Sequence, residues 1–283
     1  MTETPSLQFI AVYLPDGHEQ FPSDDNINKL NGLLNLAIAK LAELLEHENS
    51  EGESFELLFA HSCEPTVPVR EMMNVQIIIT FEDIPKTKPF CNGYTVTLPI
   101  AIKEFEAMPS NLDGKFEANG LEVKTFEWLI NCVLHEICHV FGAFHSKQGI
   151  MSGPVPLYAE KDRVCLDDFK LIDHLDSHSA LIVSRVLSRQ TYDNSFANCE
   201  YDESEKSFLF QSNCPIDAVF FLKNNEYTNK FYYLSDSWEF KNPMPDDESL
   251  WDAVFLVLEH GTIMYFKQST IRRGGNYDRM HNF

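Results

Sequence analysis

Leu7 to Leu14, LQFIAVYL, is an apolar run of strand length, and Ser23, Asp24, Asp25 and Asn26 after it carry side chains that cap helices. Ile27, Leu30, Leu34, Ile38, Leu41 and Leu45 then recur at spacings of three and four, which predicts an amphipathic helix of roughly five turns. Phe55–Ala60, Val75–Phe81 and Tyr94–Ile102 have the β-branched and aromatic content of strands. Residues 103–123 are broken by Pro109, Asn111, Gly114 and Gly120. A second helix is predicted from about Thr125, its N-cap, to Phe141, with Gly142 ending it, and a third over about Leu166 to Leu187.

The pattern changes from about Tyr192. Residues 200–206, EYDESEK, are charged and poor in apolar side chains, and beyond them come short strand-like runs: Phe208–Phe210, Ala218–Leu222, Phe231–Leu234, Ala253–Leu258 and Ile263–Phe266. Ile216–Leu222 (IDAVFFL) is repeated as Trp251–Val257 (WDAVFLV), 35 residues later, which suggests duplicated β units packed together. The tail from Ile271 is polar. This divides the chain into a larger domain at 1–190, an acidic linker at 191–206 and a small β-rich module at 207–283. A chain ending near Gln190 is then expected to fold by itself.

Composition narrows the partners. The 283 residues carry 22 Lys+Arg against 43 Asp+Glu, a formal net charge of −21. Nucleic acids and anionic membranes are bound through excess Lys and Arg, so neither is expected as a partner. No apolar run reaches the ~18 residues of a membrane span, and the start MTETPSLQFI lacks the basic flank and apolar stretch of a signal peptide. Seven irregularly spaced Cys fit reduced thiols, so a cytoplasmic protein is expected, with a secreted mature chain re-started with Met as the alternative.

Residues 135–145 read HEICHVFGAFH. Side chains four apart lie one above the other on a helix, so His135 and His139 can bind one metal ion from a single face. A third ligand six residues after His139 reaches the same ion only if the helix stops and the chain turns back, and Gly142 accepts the positive φ of such a turn. His145 then completes a set of three nitrogens. Three protein ligands leave a fourth position open to water, the catalytic rather than the structural pattern for zinc. Glu136, beside the first ligand, is placed to act as general base on that water.

HExxHxxGxxH resembles the signature of the metzincin zinc peptidases. Gly149-Ile150-Met151-Ser152 resembles the family's Met-turn, in which Met151 would form a soft apolar floor beneath the imidazoles. Ser146, Pro156-Leu157-Tyr158 and Leu166-Asp167-Asp168 resemble features of the matrixin branch. The His145-to-Met151 loop is shorter than in matrixins, the Met151-to-Pro156 step is longer, and no cysteine-switch sequence precedes the domain. The compact spacing fits an intracellular eukaryotic metzincin group equally. The resemblance spans about residues 7–188. It implies an α+β catalytic domain, with a twisted, mostly parallel sheet and two helices above a zinc cleft and the Met-turn and last helix below. It also implies a zinc-dependent endopeptidase that holds an extended peptide or protein substrate along the sheet's edge strand, with Tyr158 a candidate second electrophile. The C-terminal repeat resembles hemopexin-type blades. The segment has length for two at most, against about four in a full propeller, and a small β-sandwich fits it as well.

Other candidates have plainer readings. Cys138 on the zinc helix and Cys91 before a strand are expected to be small buried residues, and Phe126 and Trp128 core. His174 and His178, four apart, are read as a polar helix face. The competing function is a catalytically silent zinc-binding scaffold acting through a protein partner of the β module. Glu136 argues against it, because binding a metal does not need that residue and the hydrolysis does. A metal-dependent hydrolase of non-peptide amides is a further alternative.

Overall fold

The computed structural model describes residues 6–14, 24–48, 56–62, 74–82, 88–92, 95–101, 105, 121–152, 174–187, 195–244, 249–259, 261–272 and 278–279. In chain order the first half contains β1 (Ser6–Leu14), α1 (Asp24–Glu48), β2 (Glu56–Ser62), β3 (Asn74–Glu82), β4 (Phe90–Asn92), β5 (Thr95–Ala101), α2 (Leu121–Val140) and α3 (Ser177–Leu187). The first sheet has the order β2-β1-β3-β5-β4. Its β2/β1, β1/β3 and β3/β5 pairs are parallel, and only β4 runs antiparallel, at the β5 edge.

Helix α1 buries Leu30, Leu33, Leu34, Ala37, Ile38, Leu41, Leu44 and Leu45, the stripe that its sequence period predicts. Each such leucine contributes about 1.5–3 kcal/mol of burial. Helix α2 is buried almost all round from Trp128 to Val140, because it lies between α1 and the β5–β4 end of the sheet. Its polar exceptions are therefore conspicuous: Asn131, His135 and Glu136 are buried, and His139 is half-buried. Helix α3 starts later than the expected Leu166. Asp176 caps it, its Oδ1 accepting the His178 N–H (3.2 Å) and the Ser179 N–H (3.1 Å). Leu166–Asp168 and Pro156–Tyr158 lie outside the described residues.

The remaining strands are β6 (Ala197–Asp202), β7 (Ser207–Lys223), β8 (Glu226–Pro243), β9 (Ala253–Leu258), β10 (Ile263–Lys267) and β11 (Asp278–Arg279), with a short helix α4 (Gln268–Ile271) before β11. They form one six-stranded sheet in the order β11-β10-β9-β7-β6, with β8 on the other flank of β7. The repeat leaves hemopexin-like blades and a small β-sandwich both open, and the described strands lie in this one sheet. The two repeat copies are antiparallel neighbours in β7 and β9, where Ala218 pairs with Val257 and Leu222 with Ala253. Within the stretch expected as linker, 191–206, Ala197–Asp202 form β6 and pair with β7 in this sheet.

Both faces of the β7–β9 pair are covered, which is why AVFFL and AVFLVL lack the polar alternation of a one-faced strand. Val219, Phe221, Val254, Leu256 and Leu258 face the module's own core with Phe208, Phe210 and Trp251. Ala218, Phe220, Leu222, Ala253, Phe255 and Val257 face the other way, onto Ile182, Leu181 and Val186 of α3 and onto Phe144. Arg185 of α3 adds an ion pair to Asp217 of β7 at 2.7 Å. The expectation that residues from 207 onward separate cleanly meets this apolar interface. Among the described residues no helix is long and apolar enough to cross a membrane.

Candidate metal centre

Helix α2 ends in a Schellman turn. The Gly142 N–H donates to His139 C=O (2.9 Å) and the Ala143 N–H to Cys138 C=O (3.0 Å), with Gly142 at φ 86°. The chain doubles back over its own last turn and delivers His145 to the face that carries His135 and His139. His139 Nε2 lies 3.0 Å from His135 Nε2 and 3.2 Å from His145 Nε2. The candidate ligand atoms of all three lie within 4.8 Å of one another.

The second nitrogens fix the tautomers. His135 Nδ1–H donates to Ile150 C=O (2.9 Å) and His139 Nδ1–H to Ala143 C=O (2.7 Å). A carbonyl only accepts, so each Nδ1 carries the proton and each Nε2 presents a bare lone pair. Burial and the neighbouring imidazoles hold His135 down to about 3, against the Ile150 bond, and burial holds His139 down to about 4. Burial also lowers His145, opposed by the Glu226 carboxylate. These are neutral rings. The His135 and His139 lone pairs, facing each other at 3.0 Å, repel unless a cation sits between them. Nitrogens about 2.0–2.1 Å from a tetrahedral zinc ion are about 3.3 Å apart, so the donor set fits that ion.

The turn after His145 is bound to the same frame. The Ser152 N–H donates to Gly149 C=O (3.0 Å), the Ser146 N–H to Met151 C=O (2.8 Å) and the Ile150 N–H to His174 C=O (3.0 Å). Gly149 has φ 75°, and a Cβ there would meet the His174 carbonyl oxygen at 2.8 Å, so this position excludes other residues twice over. Met151 is fully buried in the core of the first half.

Glu136 is 5% exposed and sits beside the edge strand β4, where it accepts the backbone N–H of Cys91. Burial raises its carboxyl to about 7, against that bond. Cys91 is half-buried, with its thiol raised to about 11 by burial and by Glu136. Cys138 is fully buried and burial pushes its thiol up. The five described cysteines, at 91, 132, 138, 199 and 214, are free thiols. Trp128 is core as expected. His174 is exposed, whereas His178 packs against Phe220, Tyr227 and Phe231 and pairs through Nδ1 with Tyr233 Oη at 2.7 Å.

Several residues at the site had no reading in the sequence. The Ile150 and Ala143 carbonyls and the Cys91 N–H are backbone groups and leave no composition signal. Tyr227 of β8 lies 83 residues from Phe144, yet its hydroxyl accepts the Phe144 N–H at 3.0 Å.

No family model and no curated protein sequence matches the chain. Solved structures do. A catalytically inactive OgpA from Akkermansia muciniphila in complex with an O-glycopeptide (glycodrosocin) substrate is similar at 12% identity and TM-score 0.56, covering 94% of each chain. Wild-type OgpA from the same organism is similar at 12% identity and TM-score 0.53, covering 93% of this chain and 92% of that one. At this identity the likeness is one of fold, and it spans both sheets, so the chain shares with OgpA a mixed α+β architecture that runs from the first strands into the C-terminal sheet.

Proposed function

We propose that the chain is a zinc-dependent endopeptidase, with His135, His139 and His145 as metal ligands and Glu136 as general base. The observation that carries this reading is the convergence of three imidazoles, with His139 Nε2 3.0 Å from His135 Nε2 and 3.2 Å from His145 Nε2, beside a buried carboxyl. Zinc, when bound, supplies Lewis-acid polarisation of the scissile carbonyl and activation of water. The chain's own residues do the rest. Glu136 takes the proton of the attacking water and passes it to the leaving amine, and the Cys91 N–H orients its carboxylate for both transfers. Strand β4 presents an edge to which an extended peptide pairs main chain to main chain. The Ile150 and Ala143 carbonyls hold the imidazoles in the ligating tautomer. Met151 and the turn around it act as the family's Met-turn, and residues 207–283 serve as a non-catalytic module.

The substrate class comes from the fold's relatives. One OgpA structure holds an O-glycopeptide, so O-glycosylated peptides belong in the test beside plain ones. The purified chain is incubated with both sets, with and without a chelator, and the products are identified by mass spectrometry. Cleavage that stops on chelation and returns with zinc is expected. Cleavage by a metal-free preparation overturns the metal role. A zinc-loaded chain that cuts neither set favours the scaffold reading.

A further inference from the structure

The loop that carries His145 is held on its outer side by the second sheet. The Tyr227 N–H donates to His145 C=O at 3.1 Å, and the Phe144 N–H donates to Tyr227 Oη at 3.0 Å. One residue of β8 thus ties down the two residues that end in the third imidazole. Around it, His145 forms a β-bridge with Glu226, and Lys147 Nζ donates to Asn229 Oδ1 at 3.0 Å. The Phe144 ring enters the sheet, edge-on to Phe255 with centroids 5.0 Å apart and to Tyr227 at 6.0 Å. The Tyr227 ring also meets the His178 ring, in the first turn of α3, with centroids 5.4 Å apart, so loop, helix and sheet meet at one side chain.

His145 differs here from the other two imidazoles. His135 and His139 stand on a rigid buried helix, each with its Nδ1 held by a carbonyl close to the site. Once the helix ends at Gly142, the loop is fixed near His145 by the Ser146 N–H bond to Met151 together with the contacts from β8. On the reading that the three histidines bind zinc, we infer that Tyr227 is a positioning residue for the third ligand. The C-terminal sheet is then a working part of the metal site, and its docking and metal binding are coupled. Groups that orient ligands from outside the coordination sphere are worth about 10–100-fold in metal affinity.

The test uses the full chain. Zinc affinity is measured by chelator competition in wild type, Tyr227→Phe and Val254→Ala, well below each melting temperature. Val254 lies on the opposite face of the sheet, in the module's own core, so its variant loses stability without touching the loop. Tyr227→Phe keeps the ring and removes the acceptor of the Phe144 N–H. A loss of at least about tenfold in zinc affinity is expected for Tyr227→Phe, with Val254→Ala close to wild type, and an altered visible spectrum of the cobalt-loaded Tyr227→Phe protein. Equal losses in both variants, or none in Tyr227→Phe, overturn the inference. If Tyr227→Phe does not fold, Phe144→Leu, which keeps both hydrogen bonds but loosens the loop's anchor, is put to the same comparison. A wild-type chain that holds no zinc overturns the metal reading itself, and this inference with it.

Discussion

At the scale of the residue, the proposed function assigns metal binding and proton transfer to different side chains, and two substitutions test them apart. Glu136→Gln is nearly isosteric and its amide cannot take a proton from water, while the three imidazoles and the carbonyls that hold two of them stay as they are. It is expected to keep zinc and lose peptide turnover by at least about a hundredfold, since positioned general-base catalysis is worth roughly 10²–10⁴. His139→Ala should instead lose the metal, because His139 Nε2 is the atom that neighbours both other Nε2 atoms. Zinc content and turnover measured side by side decide. Near-wild-type turnover in Glu136→Gln moves the base elsewhere, and loss of zinc in that variant gives Glu136 a structural role.

At the scale of the element, the second sheet is built from strands buried on both sides. Phe220 and Phe221 are chain neighbours that point into different clusters, one toward α3 and Phe144, the other into the module's core. Each changed to Ala is expected to cost about 3–5 kcal/mol, the range for large buried aromatics, measured by denaturant unfolding. If the Phe220 change costs less than about 1 kcal/mol, the face toward α3 is not buried in solution. The elements also show what a sequence discloses. Helix α1, the parallel strands and the stop at Gly142 were legible because burial imposes a period and a left-handed turn demands glycine. Strand β4 was not, since three residues, Phe90–Asn92, are too few to show alternation. Strand β6 was read as a linker on account of its charges. Yet its exposed Asn198, Glu200 and Asp202 alternate with the more buried Ala197, Cys199 and Tyr201, the period of an edge strand with one wet face. The two runs joined in β7 looked separate because of an irregularity between Gln211 and Ile216. At the site, spacing pointed to the three histidines that the fold brings together, whereas Tyr227 reaches the loop through a contact no local pattern records.

At the scale of the whole molecule, the proposed metal site would link ion binding to the stability of the fold. An ion that binds only the folded chain stabilises it by about 4 kcal/mol when free zinc is a thousandfold above Kd. For a chain of this size, chelation is expected to lower the melting temperature by on the order of 10 °C. An unchanged transition after complete removal of the ion would mean that the ion does not bind the folded chain in preference to the unfolded one. The net charge of −21 spreads repulsion over the same structure, so added salt should raise the apo protein's melting temperature by screening.

The 83 residues between Phe144 and Tyr227 also measure time. During synthesis the helix with His135, Glu136 and His139 leaves the ribosome well before the strand that clamps His145. At 5–20 residues per second the gap is roughly 4–17 s. On the proposed function, the nascent chain would for that interval carry its base and two ligands but no secured third one, and so would be silent beside its own unfolded, cleavable segments. Ribosome-arrested chains ending before Tyr227 are therefore expected to take up zinc more weakly than released protein. Equal uptake by both would mean that the delay protects nothing.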